Sequence, residues 1–165
     1  ATILMRMMES PTVGTFSVIQ DPQGAMFAAY TPATVADCSI TPAGIGEIGW
    51  HELATTDVDA ALAFYQQLFG WEKHEVHDMG HMGLYTEYGV PGLSLGGIYT
   101  KPAEMPGPPS WLYYVRVADL EAALGRVRAN GGSVLLEPVD VPGGDRVAVF
   151  ADPQGAPFAL HWKKA

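Results

Sequence analysis

Between Trp50 and Trp71 the spacing of apolar positions changes period. From Trp50 to Thr55 neighbours alternate, so that Trp50, Glu52 and Ala54 share one face of a strand and His51, Leu53 and Thr55 the other. From Val58 the spacing becomes helical. Val58, Ala61, Leu62, Tyr65 and Leu68 fall on one stripe, Asp57 stands where an N-cap carboxylate accepts the first free N–H groups, and Gly70 ends the run. Glu72 to Val76, Met82 to Tyr88 and Leu93 to Tyr99 then alternate between glycine-containing breaks, as half-buried strands do. Lys101 to Ser110 holds four prolines and reads as a crossover.

The same order of parts returns from Trp111 to about Trp162, with VPGGDR at 141 to 146 as a long hairpin turn. Asp119 minus Asp57 gives an offset of 62, at which Val58 matches Leu120, Ala61 matches Ala123, Leu62 matches Leu124 and Gly70 matches Gly132. Each copy reads strand, helix, strand, strand, strand, a whole supersecondary unit repeated. A partial copy precedes them. Asp152 minus Asp21 gives 131, and at that offset Leu4 matches Leu135, Val18 matches Val149 and Phe27 matches Phe158.

Residues 1–31 therefore read as the last three strands of an incomplete preceding unit, 32–45 as a linker, and 46–165 as a complete domain with units at about 46–100 and 110–163. A three-stranded piece with an apolar face needs a partner. Residues 1–31 are expected to dock on another chain, completing a sheet across a homodimer or by strand exchange. Asp-Pro-Gln-Gly-Ala, which occurs twice, is a tight turn between strands and not a phosphate loop, since no helix N-terminus comes after it.

Paired units of this kind, with Asp-Val-Asp-Ala-Ala, Phe-Tyr and Leu-Phe-Gly-Trp in the first and Asp-Pro-Gln-Gly-Ala near the end of the second, resemble the vicinal oxygen chelate superfamily. That group includes glyoxalase I, extradiol dioxygenases, fosfomycin-modifying enzymes and bleomycin-resistance proteins. The resemblance covers about residues 46 to 163 and implies an α+β fold in which paired βαβββ units form a curled mixed sheet around a cleft, with the helices outside. It also implies a divalent metal held in the cleft by His and Glu from the first and last strands of each unit. Carried over residue by residue, those ligand positions are Trp50, Gly96, Leu112 and Ala159. None offers a side-chain donor to a metal, so the resemblance implies a degenerate site with no metal ligands. No cofactor is expected, and a divalent metal enters only through an unusual ligand set.

Composition narrows the field further. A chain of 165 residues, 48% hydrophobic with a net charge of −9, fits a folded domain with a large core and argues against nucleic-acid or anionic-membrane partners. Its single cysteine, Cys38, excludes an intrachain disulfide framework and reads as an inert thiol. No apolar run approaches a membrane span, and a cytoplasmic location is the default.

By strand parity, the cleft implied by the resemblance should hold Trp50, Glu52, Tyr114, Arg116, Ser94, Ile98 and His161. Trp50, Glu52, Tyr114, Arg116 and His161 are the candidate ligand-binding residues, an aromatic wall with a few polar groups. Glu52 and His161 are the candidates for acid–base chemistry. Equally, Glu52 and Arg116 fit a buried ion pair, with Trp50 and Tyr114 as core. His51 reads as a structural strand-end histidine, and His74, His77 and His81 as solvated hairpin residues. The expectation is a glyoxalase/bleomycin resistance-like protein that binds a small organic ligand. The alternatives are a metal-dependent lyase, isomerase or dioxygenase of the same superfamily and a structural dimerisation module.

Overall fold

A computed structural model describes residues 1–34 and 40–164; Cys38 and part of the linker lie outside the described residues. The chain runs β1 (Thr2–Ser10), β2 (Gly14–Gln20), β3 (Met26–Pro32), β4 (Ile48–Thr55), α1 (Val58–Phe69), β5 (Glu72–Asp78), β6 (Leu84–Val90), β7 (Leu93–Thr100), β8 (Ser110–Arg116), α2 (Leu120–Ala129), β9 (Ser133–Asp140), β10 (Arg146–Ala151) and β11 (Pro157–Trp162). From β4 to β7 and from β8 to β11 the order is strand, helix and three strands, the α+β pattern read from the sequence. The caps work as expected: Asp57 accepts from Ala60 N at 3.0 Å, Asp119 from Ala122 N at 2.9 Å, and Gly70 closes α1 at φ 71°. Leu68, expected on the buried stripe, is exposed.

The chain divides into two compact units. The first holds Ala1–Thr41 and Leu53–Trp111, the second Pro42–Glu52 and everything from Leu112 onward, so the division falls inside β4. In the first unit β1-β2-β3 form an antiparallel sheet of their own, while β5-β6-β7-β4 are joined in that order by hydrogen bonding. In the second unit the order is β4-β8-β11-β10-β9, with β8 and β11 parallel.

The core of the first unit is aromatic. α1 buries Ala61, Leu62 and Tyr65 against Leu53, Tyr88 and Ile98, with Phe64, Trp71 and Trp111 packed around them. Tyr65 stacks on Trp71 at 5.3 Å, and Trp71 stacks on Tyr88 at 4.4 Å. The core of the second unit is mostly aliphatic: Leu120, Ala123 and Leu124 of α2 lie on Ala148, Phe150 and Leu160. Each large apolar side chain so buried contributes about 1.5–3 kcal/mol.

The β1–β3 segment packs against α1 of its own chain. Phe27 meets Phe64, Tyr65 and Phe69 of α1 edge-on, at 6.3, 5.5 and 5.8 Å. Asp21 explains the fit. Its Oδ1 accepts from the N–H groups of Gln23, Gly24 and Ala25, and its Oδ2 accepts from the Tyr65 hydroxyl at 3.0 Å. The turn that marks the sequence repeat is thus also the point where β1–β3 attaches to α1.

Candidate functional site

The register of the second unit settles which side chains share a face. β8 and β11 pair Ala159 with Tyr114, Leu160 with Val115 and His161 with Arg116. Leu160 and Val115 lie in the α2 core, so Tyr114, Arg116, Ala159 and His161 occupy the opposite face of the sheet. Val147 of β10, the partner of His161 on its other side, joins them. Trp50 and Glu52 stand half-buried on β4, next to β8 in the strand order, and alternate with Leu53, which faces the α1 core. Three of the five candidates are therefore brought onto one face, and the other two lie on the neighbouring strand.

A residue not singled out from the sequence completes this face. Asp145 Oδ2 lies 2.8 Å from His161 Nε2, and Asp145 Oδ1 accepts from Lys164 N at 2.9 Å. The local chain explains the position. Gly143 and Gly144 take φ of 90° and 86°, which folds the β9–β10 turn back until Val141 N reaches Asp145 O at 2.9 Å. A side chain on Gly144 would meet Lys164 at 3.0 Å, so the turn also rests on the chain just past β11. The glycines were legible as a turn, but the carboxylate carried at its end was not.

His161 is mostly buried, at 14% exposure, and its Nδ1 is a buried atom without a hydrogen-bond partner among the described residues. Arg116 donates from Nη1 to the Ala43 carbonyl at 2.6 Å, tying the preceding connector to β8. His51 meets Tyr113 edge-on at 5.8 Å; burial lowers the pKa of the imidazole and raises that of the phenol, which favours the neutral form of each.

The first unit carries a second polar group, and here the sequence reading needs correction. His74 and His77 are half-buried network members, not solvated hairpin residues. His77 Nε2 lies 2.9 Å from Glu87 Oε1, Ser94 donates to Glu87 Oε2 at 2.8 Å, and His74 Nδ1 lies 2.9 Å from Ser94 Oγ. His81 is exposed, as expected. Ile98, expected in the cleft, is fully buried in the α1 core. The cause is a register shift: β6 and β7 pair Tyr88 with Gly96 but Gly89 with Ser94, so one extra residue reverses the alternation. Gly96 opposite Tyr88 consequently lies on the α1 side, and Gly97 opposite Glu87 on the other, where a Cβ would collide with the Tyr85 ring.

The positions that the resemblance implies for metal ligands carry no side-chain donor. Trp50, Leu112 and Ala159 have no ligating side chain, the β7 position is a glycine on either count, and among the described residues no group of three or more His, Cys, Asp or Glu is arranged to hold an ion.

Residues 45–160 match the family model for the Glyoxalase/Bleomycin resistance protein/Dioxygenase superfamily. The chain belongs to that superfamily. Among curated relatives of this glyoxalase-like protein is the anthracycline biosynthesis protein DnrV of Streptomyces peucetius, 36% identical over 132 residues, which are 72% of this chain and 47% of DnrV. Another is the putative glyoxylase CFP32 of Mycobacterium tuberculosis, 33% identical over 162 residues, 96% of this chain and 59% of CFP32. The chain spans about half the length of these relatives. Among solved structures, a methylmalonyl-CoA epimerase of Streptomyces coelicolor in complex with 2-nitronate-propionyl-CoA superposes with a TM-score of 0.59 at 20% identity, covering 74% of this chain and all of the epimerase, a likeness of fold.

Proposed function

We propose that this glyoxalase-like chain binds a small, partly aromatic organic ligand without a metal, on the face of the second unit that carries Tyr114, Arg116 and His161, with Trp50 and Glu52 contributing from β4. The observation that carries this is the exchange of chemistry at the ligand positions. Carried over from the resemblance, the metal-donor positions fall on Trp50, Leu112 and Ala159, which have no ligating side chain, while Tyr114, Arg116 and His161 share one face of the sheet. Tyr114 and Trp50 supply flat apolar area, and Arg116 and His161 supply direction, which is the usual division of labour in a small-molecule site. DnrV is named for anthracycline biosynthesis, and fused hydroxylated aromatics are the ligand class this face suits.

Thermal-shift screening of chelator-treated protein against hydroxylated anthraquinones tests the proposal, because a ligand that prefers the native state raises the melting temperature. A folded Trp50→Ala variant should lose that shift. If the shift appears only after nickel, zinc, iron or manganese is restored, the metal-dependent alternative replaces it.

The His161–Asp145 pair favours a second reading, metal-independent proton transfer in which His161 is the base. Deuterium exchange into a bound ligand, abolished by His161→Gln, would establish it. Homodimerisation through residues 1–31 is supported by Ile3, Leu4, Met5, Met7 and Met8, all exposed on the outer strand β1. Sedimentation of the chain against a Met5→Lys, Met7→Lys variant checks that contact. A cytoplasmic location accords with the single cysteine.

A further inference from the structure

His161 is fixed at one end and unmet at the other. A carboxylate only accepts hydrogen bonds, so the contact of 2.8 Å to Asp145 Oδ2 places the proton of the neutral ring on Nε2. Asp145 is itself held, through Oδ1 and Lys164 N, and the ring cannot easily reverse its roles. Nδ1 is then a bare acceptor, buried and without a partner among the described residues. Buried acceptors are rarely left unmet, because the loss of water costs about 1–3 kcal/mol. Among the described residues, Thr55 Oγ1 and Gln23 Oε1 share this condition without pointing to a ligand: Thr55 Oγ1 is enclosed in the core, and Gln23 Oε1 belongs to the tight turn at Asp21. Neither has a charged group fixing its role.

The neighbours of His161 limit what the missing donor is. Arg116 is its direct register partner on β8, Ala159 and Tyr114 form the next pair on the same face, and Val147 lies on the other side. An ammonium N–H would satisfy Nδ1 but has no lone pair to offer the guanidinium side, and an amide has one only on a separate carbonyl oxygen. A hydroxyl has both, and a weakly acidic one gains most from a nearby positive charge.

We infer that His161 Nδ1 accepts a hydrogen bond from a weakly acidic hydroxyl of the bound molecule, a phenol or an enol, and that Asp145 is the positioning residue that keeps Nδ1 free to do so. This rests on the binding face proposed for the second unit and names the substituent by which that face selects its ligand.

The probes are 2-hydroxyanthraquinone and 2-methoxyanthraquinone, which share the ring system and differ in the donor. Both are titrated into the full chain labelled with [15N]histidine. The hydroxyl compound should bind about tenfold or more tightly than the ether, equivalent to about 1.4 kcal/mol, and should move the His161 Nδ1 resonance, which the ether leaves in place. Asp145→Asn and His161→Gln should each bring the affinity ratio close to one, while Ser94→Ala, in the first unit, should leave the ratio unchanged. Equal binding of the two compounds with Nδ1 unmoved would overturn the inference and leave the binding face standing, with the acceptor met by water. A preference that survives in either folded variant at His161 or Asp145 would overturn it too. If neither compound perturbs the Trp50 indole or the Tyr114 ring, the binding face itself is wrong and the inference falls with it.

Discussion

The two units share an order of elements, but the histidine network of the first is closed and that of the second is not. In the first, Glu87 has both oxygens occupied by His77 and Ser94, Ser94 is met in turn by His74, and none of the four leaves a buried polar atom unmet. In the second, Asp145 is equally occupied, but the imidazole it holds keeps one nitrogen without a partner among the described residues. A closed network of this kind fixes strand packing, while an open one keeps a hydrogen bond in reserve for something from outside. The same contrast divides the two Asp-Pro-Gln-Gly-Ala turns. Asp21 is buried and joined to Tyr65, whereas the Asp152 carboxylate accepts from Gln154 N and Ala156 N of its own turn.

The largest expected effect tests the cores. Tyr65→Ala removes a fully buried ring, a hydrogen bond to Asp21 and one from Trp111 Nε1, and should cost about 4–5 kcal/mol. Leu124→Ala, in the aliphatic core, should cost about 3 kcal/mol. Urea unfolding measures both, and equal losses would mean that the aromatic cluster adds nothing beyond its area. Next come the turns. Asp21→Ala should cost about 2–3 kcal/mol and release β1–β3 to faster hydrogen exchange, against about 1 kcal/mol for Asp152→Ala. A reversed order would remove Asp21 as the attachment point.

A smaller effect separates the polar networks. Ser94→Ala should cost about 1 kcal/mol in stability and nothing in ligand affinity; a tenfold loss of binding would make the first unit part of the site. The smallest effect is on pH. Burial holds the His51 pKa below its usual 6.5, so between that folded value and 6.5 the unfolded chain binds more protons than the folded one. The stability contributed by the neutral ring is complete above about pH 6.5 and is lost as pH falls toward the folded value. His51→Phe, which keeps a ring against Tyr113, should flatten the urea midpoint across that range, and an NMR titration of His51 should give a midpoint below 6.5.

Much of the fold was legible because it rests on local rules. Asp57 and Asp119 announce two helices through their caps, and the offset of 62 marks the strands around both helices as copies of one unit. Alternation also put Tyr114, Arg116 and His161 on one face, and β8 and β11 pair in a register that keeps them there. It failed in β7, where one extra residue between the Tyr88 and Gly89 pairings turned Ile98 inward and Ser94 outward, and nothing in Leu-Ser-Leu-Gly-Gly-Ile marks that shift. Asp145 was missed for a different reason. It belongs to a turn, and only the folding of Gly143 and Gly144 brings it from 16 residues away to His161. The docking of Phe27 on α1 was likewise invisible, because both surfaces read as apolar and pairing them depends on Asp21 meeting Tyr65.

Whether this chain binds an organic ligand without a metal is tested most directly by calorimetric titration of chelator-dialysed protein with 2-hydroxyanthraquinone, alongside Trp50→Ala. One equivalent bound by the metal-free chain, with binding weakened about tenfold or more in the variant, is the expected result. No heat of binding until a stoichiometric divalent ion is returned, or identical binding by the variant, would contradict it.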